Sequence, residues 1–96
     1  MPTTQTVMLH LPGVLRGYCA GRAHVSLEAA DVRALLVVIE RELPLLYPNL
    51  CDETGAVRRH LNVFVNADNT RDLAQGLDTP LAQGDVVTFL PAVSGG

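Results

Sequence analysis

Two cysteines, three histidines and a closing pair of glycines are the places in this 96-residue chain where chemistry could start. Cys19 and Cys51 lack a CxxC partner. With His24 and His60 they could in principle surround a metal, but the intervals fit no ligand pattern, so no metal site is expected and free, buried thiols are the simpler reading. His10 falls on the outer side of an alternating run, where a solvated strand residue is expected, and it has no evident catalytic partner. Asp52 and Glu53 are adjacent carboxylates in what reads as a solvated loop. No glycine-rich phosphate loop follows a strand, and no Ser or Cys is set with a His and a carboxylate. Enzymatic catalysis is therefore not expected. What remains is the end of the chain, "FLPAVSGG": an apolar run, a proline, then Gly95 and Gly96. Taken alone it reads as a frayed terminus.

The elements that would carry that terminus are legible from periodicity. Thr4 to Leu11 alternates, with Val7, Leu9 and Leu11 on one face, and Pro12-Gly13 ends it. Ala23 to Leu27 reads as a second strand, paired with the first around a long irregular connection. Asp31 has the position of a helix N-cap. Val32, Leu35, Leu36, Ile39 and Leu43 follow at helical spacing, and Pro44 limits the helix. Leu45, Leu46, Tyr47 and Leu50 suggest a short turn or helical segment pinned to the core, before an exposed loop at Asp52-Glu53-Thr54-Gly55. His60 to Asn66 is a β-branched strand, left through a turn at 67–69. A short strand is expected near Thr70 to Asp72, a tight turn at Gln83-Gly84-Asp85, and a last strand over Val86 to Leu90. The order β-β-α-β-(β)-β predicts a two-layer α+β domain, a mixed sheet of four to five strands crossed by one main helix. The first and last strands, both apolar, are its natural central neighbours. One domain, residues 1–90, followed by a tail at 91–96, accounts for the whole chain.

Composition narrows the function. Ten acidic and seven basic residues give a formal charge of −3, and no basic stripe exists to displace counterions from nucleic acid. The longest apolar run, Ala34 to Ile39, is too short to span a bilayer. With no secretory leader in Met1-Pro2-Thr3-Thr4, and with cysteines suited to a reducing compartment, a cytoplasmic protein is expected. All the basic residues are arginines; there is no lysine. Genomic composition bias explains this, and so does a protein that gains from lacking amine nucleophiles beside its own activated acyl group.

The ordered set of landmarks in residues 63–96 decides what the tail resembles. Val65-Asn66 closes a strand, "GLDTPL" spans Gly76 to Leu81, Gly84-Asp85 and Val87 follow, and Leu90-Pro91 precedes the terminal Gly95-Gly96. This set, on a β-grasp element order, resembles the ubiquitin-like sulfur carriers of the ThiS/MoaD family. "RRHLNVFVN", Arg71 and "LPAVSGG" look most like the branch that feeds cysteine biosynthesis. Molybdopterin-synthase small subunits tend to be shorter and to carry Pro-Pro before the valine, where this chain has Ala92.

The resemblance implies a carrier without a cofactor of its own. An E1-like adenylating enzyme would spend ATP on the Gly96 carboxylate, sulfur would displace AMP, and the resulting thiocarboxylate would serve a sulfur-transfer enzyme. That enzyme would be a cysteine synthase or, on the alternative branch, the large subunit of molybdopterin synthase. Two glycines suit a narrow channel because neither has a Cβ. From Pro91 onward an extended tail reaches roughly 20 Å, at about 3.3 Å per residue. Phe64, Phe89, Leu90, Pro91 and Val93 are candidates for partner contact around it, with core packing an equal expectation for the apolar members. A ubiquitin-like modifier joined to target lysines, or a plain β-grasp interaction module, would use the same tail.

Overall fold

The computed structural model describes residues 4–91. β1 (Gln5–His10) and β2 (His24–Ala29) form an antiparallel pair, α2 (Val32–Glu42) crosses the sheet, and β3 (Leu61–Val65), β4 (Asp68–Asn69) and β5 (Val86–Pro91) complete it. The strand order is β2-β1-β5-β3-β4. β5 runs parallel to β1 and antiparallel to β3, so the first and last strands are central neighbours, as their apolar character predicts. This is the β-grasp arrangement.

The strands form because their side chains alternate. In β3, Leu61, Val63 and Val65 are buried while Asn62 and Phe64 are half-buried on the other side. In β2 the alternation is strict, with Val25, Leu27 and Ala29 buried. The inward residues meet Val32, Leu35, Leu36 and Ile39 of α2 in one core, at whose centre Phe89 is fully enclosed. Deep burial of an aromatic ring supplies more apolar area than any aliphatic neighbour. α2 starts where expected: the Asp31 carboxylate accepts the Ala34 N–H at 2.7 Å, satisfying one orphan donor of the first turn.

Two local departures from the sequence reading have simple causes. The connection after β1 is not irregular throughout, because Gly13–Arg16 forms a helical turn (α1) and Gly17–Cys19 a 3-10 turn. Leu15 and Cys19 are buried there, so tertiary packing overrides the glycines. The short strand lies at Asp68–Asn69, where a turn is expected, and Thr70–Asp72 is a 3-10 turn instead of a strand. Asn66 makes this possible by taking a left-handed φ of 56°. That tightens the reversal, and the Asn69 side chain then accepts the Arg71 N–H at 3.0 Å to start the 3-10 turn. In the long segment before β3 the expected short helical segment is present, Tyr47–Leu50 forming a helical turn (α3) with Leu46 and Leu50 buried, whereas Leu45 is exposed and does not help to pin it.

Candidate functional site at the root of the C-terminal tail

β5 is held differently at its two ends. At its start it is wedged between β1, through Met8↔Val86 to His10↔Thr88, and β3, through Val65↔Val87 and Phe64↔Thr88. The turn before it is a hydrogen-bonded lock. Gly84 takes φ +86°, a conformation that L side chains rarely adopt. The Asp85 carboxylate accepts the Ala82 N–H at 2.8 Å and an Asn66 side-chain N–H at 3.0 Å. The Asn66 side-chain oxygen accepts the Val86 N–H at 3.0 Å, and Met8 N–H donates to the Asp85 carbonyl at 2.9 Å. Gly84-Asp85 is thus a device that fixes where the last strand enters the sheet.

Past Thr88 the pairing to β1 stops, and Phe89, Leu90 and Pro91 are paired to β3 alone, opposite Val63, Asn62 and Leu61. The chain therefore reaches the tail from a strand with one open edge. Leu90 is 39% exposed and Pro91 exposed, both unlike the residues before them. On the outer sheet face, one row runs His24, His10, Thr88, Phe64 and Asn69 across four strands and the β4 edge, and Leu90 lies one step nearer the tail.

Of the residues singled out for partner contact, Phe64, Leu90 and Pro91 come together at this root. Phe89 does not belong with them. The alternation of β5 turns it inward, where it is fully buried, so it acts as core and leaves the surface to its neighbours. Val93, Gly95 and Gly96 lie outside the described residues. Arg71 has a role that its sequence position did not reveal: its guanidinium donates to the carbonyls of Arg59 and Leu61, each at 3.2 Å. It thereby braces the segment entering β3 opposite Pro91. Arg58 is likewise anchored, to the Pro48 carbonyl at 2.8 Å. Neither forms an ion pair among the described residues.

The other candidates for chemistry disperse. Cys19 and Cys51 are free and buried, and burial pushes both thiols above their ordinary pKa. Such thiols are held in the unreactive form. Asp52 is a loop organiser: its carboxylate accepts the Thr54 N–H at 2.8 Å, the Thr54 hydroxyl and the Ala56 N–H, and the Thr54 bonds hold it below the usual carboxylate range. No group of three or more His, Cys, Asp or Glu side chains converges as a metal site among the described residues. Nor, among them, is any helix long and apolar enough to cross a membrane.

Comparison with known proteins places this architecture. The ThiS family model matches residues 10–96. The sulfur carrier protein CysO of Mycobacterium tuberculosis is 34% identical over 92 residues, spanning 94% of this chain and 98% of the relative; its crystal structure superposes with a TM-score of 0.80, covering 91% of this chain and 99% of the other. A chain of the Amycolatopsis orientalis BexX/CysO complex aligns at 31% identity and TM-score 0.80, over 94% of this chain and 99% of that one. The small archaeal modifier protein 1 of Methanosarcina acetivorans aligns at 29% identity and TM-score 0.82, over 98% and 99% of the two chains. CysO is a sulfur carrier by name and the archaeal neighbour a small modifier protein by name, both small ubiquitin-like proteins. Profile, full-length sequence likeness and fold agree that the chain belongs to the ThiS family of ubiquitin-like β-grasp proteins.

Proposed function

We propose that this protein is a sulfur carrier whose working group is the α-carboxylate of Gly96. The observation that carries the reading is the likeness to CysO along nearly the full length of both chains, combined with a last strand that ends in Leu90-Pro91 ahead of Gly95-Gly96. A carboxylate is a poor electrophile and holds no sulfur. Its oxygen attacks the α-phosphorus of ATP in an adenylating partner, releasing pyrophosphate and forming an acyl adenylate. A sulfur nucleophile at the oxidation level of hydrosulfide then attacks the acyl carbon, and AMP leaves with the bonding pair. The product is a thiocarboxylate, a soft nucleophile tethered to a folded domain. ATP belongs to the partner, and the carrier needs no cofactor of its own.

The partner reads the root of the tail: Phe64, Leu90, Pro91 and Val93 supply apolar contact while the two glycines thread the channel. Cysteine biosynthesis is the pathway that the CysO likeness favours, with a cysteine synthase as the sulfur-transfer enzyme. The structural likeness to the small archaeal modifier protein 1 favours one second reading, attachment of Gly96 to target lysines; bands that survive reducing gels would reveal it. The main reading is tested by lengthening the chain by one alanine after Gly96. The extended protein keeps its fold and its melting temperature but accepts no sulfur in a reconstituted system with ATP, sulfide and the adenylating enzyme. Sulfur acceptance equal to that of the natural chain would refute the assignment of Gly96.

A further inference from the structure

His10 and His24 take no part in the reading above, and their geometry is specific. They stand directly opposite each other across β1 and β2, at the end of a six-residue antiparallel register. Both project from the sheet face away from α2, with His24 exposed and His10 half-buried. Nδ1 of His10 lies 2.8 Å from Nε2 of His24, and the ring centroids are 4.6 Å apart at an interplanar angle of 66°. A hydrogen bond between two neutral imidazoles needs one ring to donate and the other to accept. A metal ion instead accepts a lone pair from each. Two imidazole nitrogens bound at 2.0–2.1 Å to one ion lie roughly 2.9–3.4 Å apart for cis or tetrahedral geometry. The observed separation is therefore within a few tenths of an ångström, roughly, of a chelate bite.

We infer that His10 and His24 form a two-histidine chelate for a divalent transition-metal ion, with Cu2+ bound ahead of Ni2+ and Zn2+. The ladder fixes both backbones before the ion arrives, so little chain entropy remains to be lost on binding. Imidazole is suited to these borderline ions and not to Mg2+ or Ca2+. Among the described residues no third His, Cys, Asp or Glu joins the pair. The protein thus supplies two positions, and water or a donor from another molecule fills the rest. A bound ion also staples β1 to β2 and stabilises the folded state by mass action.

Calorimetric titration of the full chain with CuCl2, and then with redox-inert ZnCl2, in a non-coordinating buffer tests this. We expect one ion per chain, at least tenfold weaker binding in H10Q and in H24Q, and a further loss in the double variant, which has neither imidazole. H60Q, which alters the remaining histidine, binds as the natural chain does. Copper EPR reads two imidazole nitrogens in the natural chain and one in either single variant. If H10Q failed to fold, H24Q removes the same chelate from the other strand, and EPR of the natural chain needs no substitution. Equal affinity in the natural chain and H24Q, or no saturable binding at millimolar copper, would overturn the inference.

Discussion

The two ends of β5 belong to a strand of only six residues and are built on opposite principles. The entry is overdetermined: two neighbouring strands, a left-handed glycine and an Asn66–Asp85 pair hold Val86 in place. The exit is released stepwise, losing β1 after Thr88 and then exposing Leu90 and Pro91. Between them Phe89 anchors the strand in the core. A carrier of the proposed kind needs both halves. Rigidity at the entry fixes the base of the strand, and the open edge at the exit suits the proposed engagement of a partner.

Substitutions along the strand should break this contrast in graded fashion. The largest loss is expected at the anchor: Phe89→Ala leaves a cavity and costs about 3–5 kcal/mol, read as a lowered midpoint in urea unfolding. At the entry, Asp85→Ala strips the acceptor from Ala82 N–H and Asn66 and costs about 1–3 kcal/mol. Gly84→Ala costs about 1–2 kcal/mol for its left-handed backbone alone, since an added Cβ would meet nothing within 4 Å. At the exit, Leu90→Arg should change stability by less than about 0.5 kcal/mol while raising the KM of an adenylating partner for the carrier. Equal destabilisation by Leu90→Arg and Phe89→Ala would remove the contrast.

The thiols and Asp52 offer smaller tests that concern the base of the domain. Burial raises both cysteine pKa values in the fold. The stability this contributes is complete below the unfolded thiol value, about 8.5, and is lost as pH climbs from there toward the folded values. Unfolding free energy should therefore decline in mild alkali, and Cys51→Ala should flatten the decline. Alkylation of either thiol should be slow in the native protein and fast in urea. Asp52 works with the opposite sign, because its folded value is depressed. Its contribution is present above the unfolded carboxylate value and disappears as pH falls through the folded one. Asp52→Asn should remove this small acid dependence from a pH series of melting curves.

Much of this was legible before any coordinates. Strict alternation marked β1 and β3, the Asp31 cap and the 3.6-residue stripe marked α2, and the Gly84-Asp85 turn marked the entry to β5. The β-grasp order followed. What escaped notice depends on register or on tertiary neighbours. The face taken by Phe89 was open to the same alternation argument, since Val87 and Phe89 share a parity. The turn and the short strand after Asn66 exchanged places, because one asparagine in a left-handed conformation moved the reversal upstream. The His10–His24 pairing could not be read, because their register depends on the connection between β1 and β2, where α1 and the following 3-10 turn bury Leu15 and Cys19. The bracing role of Arg71 was not legible because its partners are backbone carbonyls, which leave no trace in side-chain chemistry.

The central claim, that Gly96 carries sulfur, is most directly tested by the intact mass of the natural protein. The chain is incubated with ATP, sulfide and its adenylating enzyme, and then measured whole and after proteolysis. The account predicts replacement of one oxygen by sulfur, dependent on ATP and confined to the C-terminal peptide that contains Gly95-Gly96. An unchanged mass with an enzyme that visibly consumes ATP on the carrier, or a mass gain located at Cys19 or Cys51, would contradict it.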